Sequence, residues 1–230
     1  MSTVSLELLP LTKSFFEQVT KKHHPKTQIV RKSDSWLMKS IAFILKPFNP
    51  NFMKTYTTTI GTTIYIPDHF LEDDDLQSLS VLAHETQHII DYVKNPVVFT
   101  LGYLFPQFLV CLSFLGLFGF ATPWMFLWFL AIGFLAPIPA PWRYKSELAG
   151  YRVSLLMGKE VFRYSKSEMK QIRERIKKQM TTGNYYYAWP FPERIERDLD
   201  DDSFQEEPRY QEIMKFIQTN LRISLRGSSF

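Results

Sequence analysis

From Asn95 to Trp142 the chain carries no Asp, Glu, Lys or Arg; the run is filled with Phe, Leu, Val, Ile, Ala, Gly and Trp. A stretch of that length without charge has to be kept from water, either in a bilayer or in the interior of the fold. The 25 residues from Val97 to Ala121 would make a helix of roughly 37 Å, against a hydrocarbon core of about 30 Å. Thr122-Pro123 supplies the turn, since proline starts a helix readily and sits badly within one. The return run, Trp124 to Ala136, is 13 residues, or roughly 20 Å of helix, before Pro137-Ile-Pro-Ala-Pro141 interrupts it. Pro106-Gln107 predicts a kink in the outgoing helix, with Gln107 in need of a polar partner. The segment 97–141 is therefore read as an inserted apolar helical hairpin that meets a lipid bilayer. The alternatives are a loop that dips into one leaflet and a hairpin buried in the protein core.

Both ends of a hairpin emerge on one side, where Lys94, Arg143 and Lys145 flank it. The positive-inside tendency predicts a membrane protein with its termini and polar mass on the cytoplasmic side. Met1 to Pro10 has no basic stretch leading into a long apolar run, so insertion is expected through the internal segment.

With 230 residues, 45% of them hydrophobic and 22% charged, the chain can bury a single substantial core and is not expected to be disordered. The formal charge of +4 suits anionic headgroups, and no nucleic-acid-binding motif accompanies it, so no nucleic acid partner is expected. The single cysteine, Cys111, lies in the apolar run. It can form no intrachain disulfide, and any zinc site must draw on His and carboxylate ligands.

Ahead of the apolar segment, helices are predicted over Thr12–Lys22 and over Ser33–Lys46, the second capped and amphipathic. Thr57 to Ile66 is β-branched and alternates around Gly61, the pattern of a strand or short hairpin. Asp73 to Asp75 place acids at the positive end of a helix that extends to Lys94, and Pro96 closes it. Beyond the segment, helices are predicted over Ser146–Met157, over Ser167–Met180 behind a Ser165 to Glu168 capping box, and around Tyr210–Leu221. The basic face of the Ser167–Met180 helix is read first as a solvated surface. Residues 158–230 form a helical C-terminal extension in this reading.

Inside the helix that ends at Lys94 stands His84-Glu85-Thr86-Gln87-His88. Residues four apart share a helical face, so the two imidazoles can converge on one metal ion with Glu85 beside them. Zinc takes four ligands and, in catalytic sites, leaves one position to water. Glu85 is placed to take a proton from that water and hand it to a leaving group. The third ligand has to come from elsewhere. Glu147, just past the return of the hairpin, is the preferred candidate; His69, His23 and His24 are others. Asp91, one turn beyond His88, suits the support of a histidine better than direct ligation, and it is the alternative ligand. The strand Thr62–Ile66 is expected to offer an exposed edge that could hold a peptide in extended form. Tyr151, Tyr186 and Tyr187 are candidates for oxyanion stabilisation or substrate contact.

The strand Ile64-Tyr-Ile-Pro67, the motif His84 to His88, the apolar hairpin and Ser146-Glu147-Leu-Ala-Gly-Tyr151 together resemble the gluzincin branch of the zincin metallopeptidases. Their order is like that of membrane-embedded peptidases of the HtpX and CAAX prenyl protease type, and of small metallopeptidases of phage and bacterial genomes. The resemblance covers roughly residues 60 to 152, and its specific part is the His-Glu-x-x-His motif. It implies a mainly α fold with a small β-sheet (α+β, zincin-like). It also implies one zinc ion held by His84, His88 and Glu147, with Glu85 as catalytic base acting on a peptide or protein substrate. The second motif of those peptidases continues with Ala and Asp, where this chain has Gly150 and Tyr151, so Tyr151 or Asp91 would stand in for that Asp. The expected protein is a single zincin-like domain over residues 1–230, a membrane-associated zinc metallopeptidase. The rival readings are a catalytically silent membrane protein with a structural zinc site and a metal-independent hydrophobic-hairpin protein.

Overall fold

The alternating run around Gly61 folds back on itself. In the computed structural model, which describes residues 8–46, 49–135, 138–182 and 188–227, β2 (Thr58–Ile60) and β3 (Thr63–Ile66) pair antiparallel with Thr59 opposite Ile64. Gly61 turns between them at φ 62°, a left-handed backbone that glycine adopts without a Cβ clash. A short strand with no alternating pattern, β1 (Gln28–Arg31), adds to the far side of β3 in parallel, so the order is β1-β3-β2. β3 is thus the central strand, hydrogen-bonded on both sides. The exposed edge expected at Thr62–Ile66 is not there; the free edge beside the metal-motif helix belongs to β2.

Around this mixed sheet the described chain is mainly helical. Helix α1 (Pro10–Phe15) begins with proline and runs on through a π-helical turn, Phe16–Thr20, to a last turn at Lys21–His23. Its first turn is held by Asp75, whose carboxylate accepts from the Leu11 amide (2.8 Å), the Thr12 amide (2.9 Å) and the Thr12 hydroxyl (2.6 Å). The acid read as a dipole partner for its own helix therefore also caps another one. Helix α2 (Trp36–Leu45) is capped by Ser35, buries Met38 and leaves Trp36 and Phe43 exposed.

Helix α3 (Asp75–Lys94) carries the motif, and α5 (Pro141–Glu160) packs along it. Ile64 and Ile66 of the sheet, Leu79, Leu82 and Ile89 of α3, and Val153 and Met157 of α5 form one buried core, which Phe15 and Phe216 complete. Phe216 lies on α8 (Pro208–Gly227). The other face of α5 buries Tyr144, Leu148 and Leu155 against Ile176 and Met180 of α6 (Lys166–Thr181) and Ile195 and Leu199 of α7 (Pro192–Asp200). The Ser165 to Glu168 capping box is formed. On the basic face of α6, Arg173 pairs with Asp200 and Lys177 with Glu174 and Glu196.

The uncharged run breaks where Pro106 predicts it. Helix α4 (Pro96–Leu104), capped by the Asn95 side chain, stops at Phe105, whose φ of −72° and ψ of 141° are those of a residue held extended by a following proline. The chain resumes as a 3-10 helix over Gln107–Phe120, bent by 75° from α4, and a second 3-10 helix, Pro123–Leu135, lies beside it. The kink expected at Pro106 within a spanning helix over Val97–Ala121 is thus a full break into two pieces, and among the described residues no single helix is long and apolar enough to cross a membrane. Only the bent pair meets that requirement, by length and composition. Gln107 donates to the Ile138 carbonyl at 3.2 Å, the polar partner it needs. The two 3-10 helices pack on each other, with Gly116 against the Phe129 ring and Gly119 against the Phe126 ring, while their outer faces stay open: Phe120 is 90% and Leu130 77% exposed.

Candidate metal centre

The periodicity of α3 puts His84 and His88 on the face that meets α5, with ring centroids 5.1 Å apart. Across that contact α5 presents Glu147. His84 Nε2 lies 3.6 Å from Glu147 Oε2, and His88 Nε2 lies 3.7 Å from Glu147 Oε1. One donor atom from each residue falls within 4.8 Å of the others. Donors about 2.0 to 2.1 Å from a tetrahedral ion are roughly 3.4 Å from one another, and each imidazole stands within a few tenths of an ångström of that separation from a Glu147 oxygen. Glu147 Oε2 is buried with no hydrogen-bond partner, a state that a cation would relieve. His84, His88 and Glu147 are 8%, 7% and 1% exposed. The residues present fit a divalent ion, and two imidazoles with one carboxylate suit zinc.

The remaining polar atoms of the donors are held by a second set of side chains. Ser146 Oγ is 2.9 Å from His88 Nδ1, which leaves Nε2 for a metal. The Tyr103 hydroxyl donates to Glu147 Oε1 at 2.5 Å. Tyr103 belongs to α4, within the uncharged run, and Arg143 anchors it from α5: Arg143 Nε donates to the Tyr103 carbonyl at 2.8 Å, and the guanidinium lies 5.3 Å from the centre of its ring. Gly150 lies against the His84 imidazole, where a Cβ would come within 2.5 Å of Cε1. Tyr151 sets its ring edge-on to His84 at 5.0 Å and gives its hydroxyl to Gln179 Oε1 at 3.0 Å.

Burial opposes the charged form of both His84 and Glu147, and the neighbouring charges work against burial. Interaction with Glu147, the charge of Glu85 and the Gly150 backbone outweigh burial and raise the His84 pKa above the ordinary imidazole value. The His88 and His84 charges outweigh burial at Glu147 and lower its pKa. A metal bound here would compete with a proton for His84.

Glu85, on the same helix, points its carboxylate toward the sheet: Thr59 of β2 donates to Oε2 at 2.6 Å. Nearby, Lys32 is 1% exposed, its ammonium 2.8 Å from the Phe52 carbonyl and 3.9 Å from the centre of the Phe52 ring. Burial brings its pKa down to about 8, against the opposing pull of Glu85.

Of the residues expected from sequence, His84, His88 and Glu147 come together, and Glu85 stands next to His84 on the motif helix with its carboxylate bonded to Thr59. Asp91 does not join them: its carboxylate pairs with Lys94 at 3.2 Å and Arg209 at 3.3 Å, and the orienting contact to His88 comes from Ser146 instead. His23 pairs with Glu212, and His23, His24 and His69 are not among the clustered donors. Tyr186 and Tyr187 lie outside the described residues. Tyr103, Ser146, Thr59 and Gly150 were not anticipated. Tyr103 had a signal, as the only tyrosine in the uncharged run; a hydroxyl in such surroundings needs a partner. Compared with protein-family models, characterised proteins and solved structures, the chain matches none.

Proposed function

We propose that the chain is a membrane-associated, zinc-dependent peptidase of the zincin type, with His84, His88 and Glu147 as metal ligands and Glu85 as general base. The observation that carries this reading is the convergence of the three buried donors at the helix that also carries Glu85, whose Oε2 accepts from Thr59. Bound zinc would supply a Lewis acid for the peptide carbonyl and a water of lowered pKa. Glu85 takes a proton from the attacking water and delivers it to the departing amine. Thr59 orients Glu85, Ser146 fixes the His88 tautomer, and Tyr103 holds Glu147. The apolar run 97–141, with its outward Phe and Leu side chains, would seat the protein against a bilayer, and Lys94, Arg143 and Lys145 would place the metal site on the cytoplasmic side.

The low exposure of all three donors favours one second reading, a metal that staples α3 to α5 without catalysis. Metal quantification on the wild type and on Glu85→Gln, coupled to a proteome-wide search for cleaved peptides, separates the two. A peptidase retains stoichiometric zinc in both forms and cleaves only as wild type. A structural site retains zinc and cleaves in neither. Wild-type protein without stoichiometric metal refutes both.

A further inference from the structure

A cavity of about 400 Å³ opens beside the metal centre where α3, α4, α5 and the start of α8 meet, lined by none of His84, Glu85, His88 or Glu147. Its size is that of a small-ligand site. Four cations line it: Lys94, Lys145, Arg152 and Arg209. Against them stand two carboxylates, Asp91 and Glu207, an excess of two positive charges. Both acids are already engaged, Asp91 by Lys94 and Arg209, and Glu207 by Arg209 at 3.1 Å. Lys145 has no ion pair among the described residues; Arg152 Nη2 donates to the Asp198 carbonyl at 3.1 Å and pairs at 3.7 Å with Asp201, which stands outside the lining and reduces the excess to one, while Arg152 Nε is buried without a hydrogen-bond partner. Such a cavity has donors to give and calls for an anion.

One wall of the lining is apolar. Val98 and Phe99 come from α4 and Trp142 from the start of α5. Val98 and Trp142 are exposed, as are Val97, Leu101 and Leu104 along α4. The basic pocket therefore runs directly into the uncharged segment, with a tryptophan at the boundary where an amphipathic ring suits a headgroup region. We infer that this cavity holds the phosphate of an anionic phospholipid, with its acyl chains lying along α4. Cations at the end of an apolar helix match a lipid headgroup better than a free anion, because a free anion makes no use of the apolar wall.

The site also touches the metal centre. Tyr103 and Ser146 line the cavity and bond Glu147 and His88. A bound headgroup would press on the groups that orient two ligands, so lipid occupancy would bear on metal affinity. The binding site itself rests on the cavity and on the membrane part of the reading above, and it is read without any peptidase assay.

The experiment titrates the full chain, in micelles of a neutral detergent, with short-chain phosphatidylglycerol, short-chain phosphatidylcholine and inorganic phosphate, using native mass spectrometry and calorimetry. The expected result is saturable binding of one phosphatidylglycerol, with weaker phosphatidylcholine binding and none of phosphate. The double substitution Lys94→Gln/Lys145→Gln lowers phosphatidylglycerol affinity by about tenfold or more. Lys170→Gln/Lys178→Gln, which removes two exposed charges from α6, leaves it unchanged. Equal affinity for the two lipids, or an affinity that ignores Lys94 and Lys145, overturns the site. Phosphate binding as tight as phosphatidylglycerol makes it a free-anion site and overturns the lipid assignment. Metal content measured on the protein before any lipid is added is a separate readout, so a failed metal reading and a failed lipid site are told apart.

Discussion

The Tyr103 hydroxyl, carried by a helix of the uncharged run, donates to Glu147 Oε1 at 2.5 Å and ties the apolar segment to the candidate metal donors. Tyr103→Phe keeps the ring and its contact with His88 while deleting the donor. Metal affinity is expected to fall by about tenfold to a hundredfold, as for other residues that orient a ligand, with the fold intact by circular dichroism. Metal affinity equal to wild type in a competition titration would show that Glu147 needs no such support.

Gly150 sits in a helix, where alanine would ordinarily stabilise by about 1 kcal/mol. Here the added Cβ meets the His84 ring at 2.5 Å, and the overpacking cost of about 1 to 3 kcal/mol decides the sign. Gly150→Ala should lower stability and weaken metal binding together, read by chemical denaturation with and without added zinc. A stabilised variant with normal zinc uptake would refute the assignment.

Thr59→Val removes the hydroxyl that meets Glu85 and keeps the strand-forming shape. Under the peptidase reading, metal content stays at the wild-type level. Turnover drops by about tenfold to a hundredfold, the worth of a hydrogen bond to a charged group. Loss of metal instead would place Thr59 among the supports of the ligands.

Lys32 gives a pH signature. The folded chain releases the Lys32 proton near pH 8 and the unfolded chain near 10.5, so between those values the unfolded state binds the extra proton and stability rises with pH. Below pH 8 both states are protonated, and the folded one bears the full cost of the buried charge. The difference in unfolding free energy between wild type and Lys32→Met should therefore shift in favour of the wild type by up to about 3 kcal/mol from pH 8 to 10.5. A pH-independent difference would show that the ammonium is effectively solvated.

Asp75→Ala deprives α1 of the carboxylate that accepts from Leu11 and Thr12. A loss of about 2 to 3 kcal/mol is expected in chemical denaturation, more than for an exposed cap, because the acid also bridges α1 to α3. Asp75→Asn, which keeps an acceptor, should lose less.

Local pattern was enough for the parts of this protein whose physics is local. The four-residue spacing of His84 and His88 follows from the helical period, and the capping box, the Gly61 turn and the Pro106 break follow from backbone chemistry that single residues impose. Glu147 was legible because a segment that leaves and returns must bring its two ends together. Strand β1 was not, since four half-buried residues without alternation carry no periodic signal, and its pairing made β3 central and moved the free edge to β2. Asp91 has the right spacing to serve the metal and was drawn away by Arg209, 118 residues distant in the chain. Tyr103, Thr59 and Ser146 gained their roles from packing alone: a hydroxyl is defined by what it faces, and that is set by the approach of α4, β2 and α5 to the motif helix. Sequence spacing decided which donors share a helical face; tertiary packing decided which groups support them, because side chains far apart in the chain meet only when the core that carries them is closed.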